Sequence, residues 1–287
     1  MSRVISAVLQ FSARTALTLS KERAMDIFKR EIDGGKAFDW GRASSDYAKY
    51  RDIYPPEFFG RIAERGLCVT GQKVLDLGTG TGVVPRNMYD YGAEWTGADI
   101  SENQIAQAKI LAEREGKKIE FIVSAAEDID FPDGTFDVIT ACQCFFYFNY
   151  EAVVPKLARL LRKGGRLVIL FMAWIPAEDR IAKASEELVL KYNPEWSGGG
   201  YVRTPVFVPE VAEKYFETEE SDGYDLMVPF TRDSWNGRMK ACRGVGASMA
   251  PETIVKWENE HMKMLAENAP ESFEILHRAA YAILRKR

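Results

Sequence analysis

Histidine and cysteine are scarce in this chain: two and four residues among 287. No Cys-x-x-Cys pair occurs, and His261 and His277 stand far from one another and from the thiols. That excludes the common zinc-ligand spacings and a disulfide framework, so no metal is expected. Cys142 and Cys144 alternate within an apolar run and read as reduced thiols at a strand end, which points to the cytoplasm. A block of lysines and arginines is also missing, and the net charge is −4. A basic face for nucleic acid is therefore not expected. No apolar run is long enough to span a bilayer. The first twenty residues carry Arg3, Arg14 and no acid. That composition weakly resembles a transit peptide, but an N-terminal helix over residues 1–31, ended by Asp33-Gly34-Gly35, is the stronger reading. Met25 also fits an alternative start.

Apolar residues make up 46% and charged residues 28%, as in a well-packed globule. From Lys73 onward, short apolar segments alternate with helical ones. Strands are expected at 73–77, 94–99, 119–123, 136–142 and 166–171, with helices at about 83–91, 102–115 and 150–161. This alternation implies βαβ units: a Rossmann-like, doubly wound, mostly parallel α/β sheet with helices on both faces. Ligands of such sheets bind beyond the carboxyl ends of the strands. After Phe171 the pattern loosens. Helices are expected at 177–190, 232–242 and 251–268, with strand character at 224–230 and 280–284. The expected organisation is an N-terminal helical extension over 1–37 and a nucleotide-binding core over 38–172 that includes a lid segment. Substrate-side elements forming a small helical cap follow over 173–270, and 271–287 closes with a sheet strand of the core.

The chemistry concentrates in Val74-Leu75-Asp76-Leu77-Gly78-Thr79-Gly80-Thr81-Gly82. An apolar strand runs into glycines at alternate positions, where positive φ and close ligand approach are open to the backbone. Dinucleotide dehydrogenases use a related turn, but GxGxxG would need a glycine where Val83 stands. Asp76, two residues ahead of the first glycine, suits a ligand with a positive amino group and suits a pyrophosphate poorly. Asp99, in Gly97-Ala98-Asp99-Ile100 at the end of the second strand, can accept from both ribose hydroxyls. Its plainer reading is the start of a helix capped by Ser101.

Five ordered motifs now stand together: VLDLGTGTG, GADIS, Ala126-Glu127-Asp128-Ile129 ahead of Phe131-Pro132, FDVIT at 136–140 and LLRKGG at 160–165. Over residues 73–171 the chain resembles the class I S-adenosylmethionine (SAM)-dependent methyltransferases, and within them the small-molecule type 11 group. The resemblance implies SAM as cofactor and a small organic methyl acceptor. It places Gly78 and Gly80 beneath the methionine portion, Asp76 near its amino group and Asp99 at the ribose, with Thr79, Ile100 and Gln104 as further cofactor-binding residues. Ala126 and Glu127 would border the adenine, and Cys142 and Gln143 would lie beside the sulfonium. Relatives often carry Asp before the adenine-motif Ala; here that residue is Ala125, which leaves Glu127 or a backbone carbonyl as acceptor. The run Tyr47–Pro55 resembles a segment folding over the cofactor, with Tyr47 as its contact and Trp40 and Arg51 as weaker candidates; packing of its tyrosines on the core is the equal alternative.

A base is needed only if the acceptor keeps a proton at neutral pH, and His261, Glu210, Tyr201 and Arg203 are its candidates; no catalytic residue is assigned. The Asn-Pro-Pro-Tyr signature for nucleobase amino groups is absent after the fourth strand, where Cys142-Gln143-Cys144-Phe145-Phe146 stands. A tRNA or protein methyltransferase, a non-catalytic SAM-binding protein and a nicotinamide oxidoreductase are the alternative functions. A homodimer is compatible with the sequence.

Overall fold

The computed structural model describes residues 32–33, 49–50 and 52–287. The expected helix over 1–31 and the side chains of Trp40, Tyr47 and Arg51 lie outside these residues.

Helix α1 (Pro56–Ala63) begins on a proline, whose fixed φ and missing N–H suit a first helical turn. Then follow β1 (Lys73–Leu77), a short α2 (Val83–Asn87), β2 (Glu94–Asp99), α3 (Glu102–Arg114), β3 (Glu120–Val123), β4 (Phe136–Cys142), α4 (Tyr150–Leu160) and β5 (Leu161–Trp174). After these come α5 (Arg180–Tyr192), β6 (Phe216–Thr231), α6 (Arg232–Lys240), α7 (Pro251–Asn268) and β7 (Ser272–Lys286). The strands form one seven-stranded sheet in the order β3-β2-β1-β4-β5-β7-β6. β1 to β5 pair in parallel, and β7 runs antiparallel between β5 and β6. This is the α/β sheet the alternation implies, and its order reverses between β1 and β4. A crevice opens at such a reversal, beyond the carboxyl ends of the two strands.

Both faces of the sheet are covered, which is why its central strands are apolar without alternation. Val74, Val138 and Val168 face a cluster with Phe58, Phe59 and Ile62 of α1 and with Trp235 and Trp257 of α6 and α7. Their neighbours Leu75, Ile139 and Ile169 face the other way, onto Val153, Val154 and Leu157 of α4.

Three local expectations change. Val83–Asn87 is the whole of α2, and a separate 3-10 turn, Tyr89–Tyr91, carries the chain to Gly92 in the left-handed region. Strand β5 starts earlier than Arg166: Leu161 pairs with Phe136 and Arg166 with Val138, so the residues between them bulge out of the ladder. Finally, β6 is a 16-residue edge strand paired along β7, so this part of 173–270 belongs to the sheet. Its alternation is masked because an edge strand over solvent carries charges on both sides of the chain. The helical part of that region is α5, α6 and α7, with α7 packed on both of the others.

Candidate functional site

Strand β1 ends in a turn whose Gly78, Gly80 and Gly82 have φ of +58°, +55° and +74°, in the left-handed region. At Gly78 the need for glycine is also steric: an added Cβ would lie 2.7 Å from Cβ and Sγ of Cys144. Thr79 N–H donates to Ala98 O at 3.0 Å, tying the turn to β2.

Asp99 closes the turn from the side. Its Oδ2 accepts from Gly80 N at 2.9 Å, and its Oδ1 accepts from Ser101 N at 2.9 Å. Burial raises its pKa against these two hydrogen bonds. Ser101 caps α3 by accepting from Gln104 N, so the plainer reading of this stretch holds together with a carboxylate at the crevice. Asp76 sits beneath the turn and is 1% exposed. Thr140 Oγ1 of β4 donates to its Oδ1 at 2.6 Å, while its Oδ2 has no hydrogen-bond partner. Burial pushes its pKa up to about 7, opposed chiefly by the hydroxyl of Thr140. Neither carboxylate is paired with a lysine or arginine among the described residues.

The other expected residues surround this turn unevenly. Ile100 is 43% exposed at the end of β2, and Val123, 49% exposed, ends the adjacent β3. Gln104 and Ala126 are buried. Glu127 is half-buried and already engaged: its Oε1 accepts from Asn149 N at 2.9 Å at the start of α4. At the end of β4, Gln143 adopts φ of +62°, an uncommon conformation for a residue with a Cβ. Its backbone N–H donates to Leu170 O and its side-chain amide to Met172 O, both on β5. Cys144 Sγ donates to Leu77 O at 3.0 Å, directly over the glycine turn.

Several participants were not singled out from the sequence. Tyr54 approaches Cys142, with its hydroxyl 3.9 Å from Sγ. Asp52 accepts from Arg86 Nη2 at 2.9 Å and from Asn87 Nδ2 at 2.8 Å, which fastens the start of the stretch 52–55 to α2. The Tyr50 ring lies flat on Gly237 of α6, where a Cβ would come within 2.5 Å. Such pairings join residues far apart in the chain, and the only local signal was the aromatic content of the run.

The candidate bases are placed elsewhere. His261 is wholly buried between Asn236 Oδ1 at 2.8 Å and Ser185 Oγ at 3.0 Å, and burial pushes its pKa down to about 3. Arg203 is held by Glu178 and Asp225 at the surface. Tyr201 packs on Phe171, and Glu210 is an exposed residue opening a 3-10 turn. A cleft of about 530 Å³ lies at the opposite end of the strands, lined by Lys73, Glu94, Trp95 and Phe136 among others, and contains none of the expected residues.

The comparisons with known proteins agree with this geometry. Residues 75–169 match the model of the methyltransferase domain family. The chain is 39% identical over 113 residues to a demethylmenaquinone methyltransferase of Thermus thermophilus, which covers 38% of this chain and 51% of that protein. This chain therefore spans about half the length of that relative. It is 27% identical over 191 residues to a ubiquinone biosynthesis O-methyltransferase of Thiobacillus denitrificans, covering 65% and 82% of the two. The fold is shared with a solved structure from work on converting a disulfide into a thioacetal group during echinomycin biosynthesis. That match has a TM-score of 0.51 and 17% identity, over 79% of this chain and 80% of the other. With the glycine turn at the point of strand reversal and its two carboxylates, these likenesses mark residues 75–169 as a methyltransferase domain.

Proposed function

We propose that the chain moves the methyl group of SAM to a small, largely apolar organic acceptor. The observation that carries this reading is the pair of carboxylates at the glycine turn, Asp76 and Asp99, both raised by burial and neither matched by a cation among the described residues. Uncompensated buried carboxylates are costly, and a ligand with cationic character relieves that cost. The unpaired oxygen of Asp76 is the acceptor for an ammonium group, and the remaining lone pairs of Asp99 are the acceptors for ribose hydroxyls. Gly78, Thr79 and Gly80 let the ligand lie against backbone, with Gln104 supporting the ribose end from α3. Ile100 and Ala126 supply apolar surface for a base. Glu127, bonded to Asn149, reaches it only through its second oxygen. Cys142 and Gln143 border the reacting end, with Tyr54 beside Cys142.

Bound SAM supplies a sulfonium whose departure as a neutral thioether drives the transfer. The protein's part is to align the acceptor and exclude water. No described residue among the four candidates is placed as a base, so an acceptor that has already lost its proton suits the site best. The named relatives, for demethylmenaquinone, ubiquinone biosynthesis and sterol, support an apolar acceptor. No helix among the described residues is long and apolar enough to cross a membrane, and the four cysteines are free, in keeping with work in the cytoplasm. Isothermal titration with SAM should give saturable binding, and product detection against a metabolite panel should then reveal methyl transfer. Absence of SAM binding by the folded chain overturns the reading.

A further inference from the structure

Beyond the end of β4 comes the 3-10 turn Phe145–Tyr147. There it meets Arg243, in the π-helical turn Arg243–Ala247 that follows α6. The Arg243 side chain is only 9% exposed, which is rare for a guanidinium unless its donors are matched. Its Nε donates to Asp33 Oδ2 at 2.7 Å and its Nη2 to Asp33 Oδ1 at 3.1 Å, a bidentate fork. Nη2 also reaches Ser197 Oγ at 3.1 Å, and Nη1 donates to the Tyr147 hydroxyl at 2.9 Å. Ser197 completes the cradle, with its backbone N–H donating to Asp33 Oδ1 at 2.7 Å and its hydroxyl 3.0 Å from the same atom. Asp33 N–H in turn donates to Ser197 Oγ at 3.1 Å.

Four donors thus converge on one carboxylate from two separate stretches of chain, with Tyr147 holding the far side of the guanidinium. The cradle is itself held in place: Ser248 Oγ donates to Arg243 O at 2.7 Å, and Asn193 Nδ2 donates to Gly244 O at 3.0 Å. Trp196 is buried against Gly244, where a Cβ would come within 2.6 Å of its ring. The carboxylate that fills the cradle is the less regular partner. Asp33 has φ of +47°, in the left-handed region, and such conformations persist only where surrounding contacts impose them. The receptor is held by several contacts of its own, and its occupant sits in an uncommon backbone conformation.

We propose that Arg243, Ser197 and Tyr147 form a recognition site for a carboxylate on the methyl acceptor, and that Asp33 fills this site as an internal stand-in. The proposal rests on the methyltransferase reading for the word acceptor, and it narrows the substrate class to organic acids with an apolar or aromatic body. Tyr147 and Trp196 are the aromatic side chains next to the fork, one on Arg243 Nη1 and the other against Gly244. Arg243 is then a specificity-determining residue, because a bidentate fork rejects a neutral amide that offers it one oxygen.

The test uses the full chain and two probes of the same shape, benzoate and benzamide, titrated calorimetrically. Asp33→Ala and Asp33→Asn vacate the fork and should bind benzoate at least tenfold tighter than the parent chain, with no gain for benzamide. Adding Arg243→Gln to either variant should abolish that gain. Equal binding of benzoate by the parent and by the folded Asp33 variants overturns the proposal, as does equal binding of the two probes. If both Asp33 variants are unfolded and benzoate does not restore their melting transitions, Asp33–Arg243 is a structural clasp and the proposal fails. SAM titration of the same proteins separates the two readings: a chain that binds benzoate in this pattern but not SAM keeps the acid site and loses the methyltransferase assignment.

Discussion

Two buried polar clusters, one under the glycine turn and one inside the cap, differ in how completely they are satisfied. Beneath the turn, Asp76 keeps one oxygen without a partner and Asp99 has only backbone donors. In the cap, His261 bridges Asn236 and Ser185, Ser185 Oγ accepts from Trp235 Nε1 at 2.9 Å, and Asn236 Nδ2 donates to Glu258 at 3.2 Å. Both clusters hold strongly perturbed titratable groups, so perturbation alone does not mark a functional site. Satisfaction separates them. A closed network joins α5, α6 and α7 into one body, whereas an open one leaves acceptors for a ligand.

The largest expected effect tests the closed cluster. His261→Ala opens a cavity and strands Ser185 and Asn236, which should cost about 3 kcal/mol in urea unfolding while SAM affinity stays within about twofold. The His261 pKa is about 3 in the folded chain against an ordinary 6.5, so the stability it confers is complete above pH 6.5 and erodes as pH falls toward 3. The acid limb of a stability–pH curve should therefore be shallower in the variant, with His277, at about 4, still contributing to it. Unchanged stability would erase the distinction between the clusters.

Next comes Asp99→Ala, expected to weaken SAM binding by about 1.5–3 kcal/mol in calorimetry through loss of charge-assisted hydrogen bonds. Unchanged affinity in a folded variant would remove Asp99 from the site. Asp76→Asn should act in two directions. The folded pKa near 7 lies above the ordinary 3.8, so the native state holds an extra proton between them, and stability falls as pH rises through that window. Asparagine removes the penalty and should raise stability at pH 8 by on the order of 2 kcal/mol more than it does at pH 5, while SAM binding weakens. A variant that is less stable at pH 8 would show that the Asp76 charge is already compensated. The smallest effect belongs to Arg203→Ala: this surface arginine, paired with Glu178 and Asp225, should leave both the melting temperature and methyl transfer unchanged within error.

The strand–glycine–helix unit was legible because its determinants are local. Val74–Leu77 is a buried strand by composition, and Gly78, Gly80 and Gly82 announce left-handed backbone that other residues rarely adopt. Asp76 and Asp99 could be named because they sit at defined offsets from that turn. His261 was harder: on an amphipathic helix it offered a base as readily as a core residue, and only the arrival of Ser185 and Asn236 at its two nitrogens assigns it to packing. Glu127 is a similar case, since its bond to Asn149 forms only when α4 docks beside the β3–β4 connection. Strand β6 was read short because Glu217, Glu219 and Asp222 break the apolar pattern of an edge strand.

The sequence by itself determined the order of strands and helices along the chain, the glycine turn with its two acids, and hence the resemblance of that stretch to a methyltransferase domain, since periodicity and backbone freedom are properties of neighbouring residues. Tertiary structure alone decided that β7 inserts between β5 and β6, that the cap histidine is architectural, and that Asp33 meets Arg243 across the chain. Those outcomes depend on burial and on partners brought together from distant segments, where the free energy of a contact belongs to the pair and leaves no mark on either residue's local pattern.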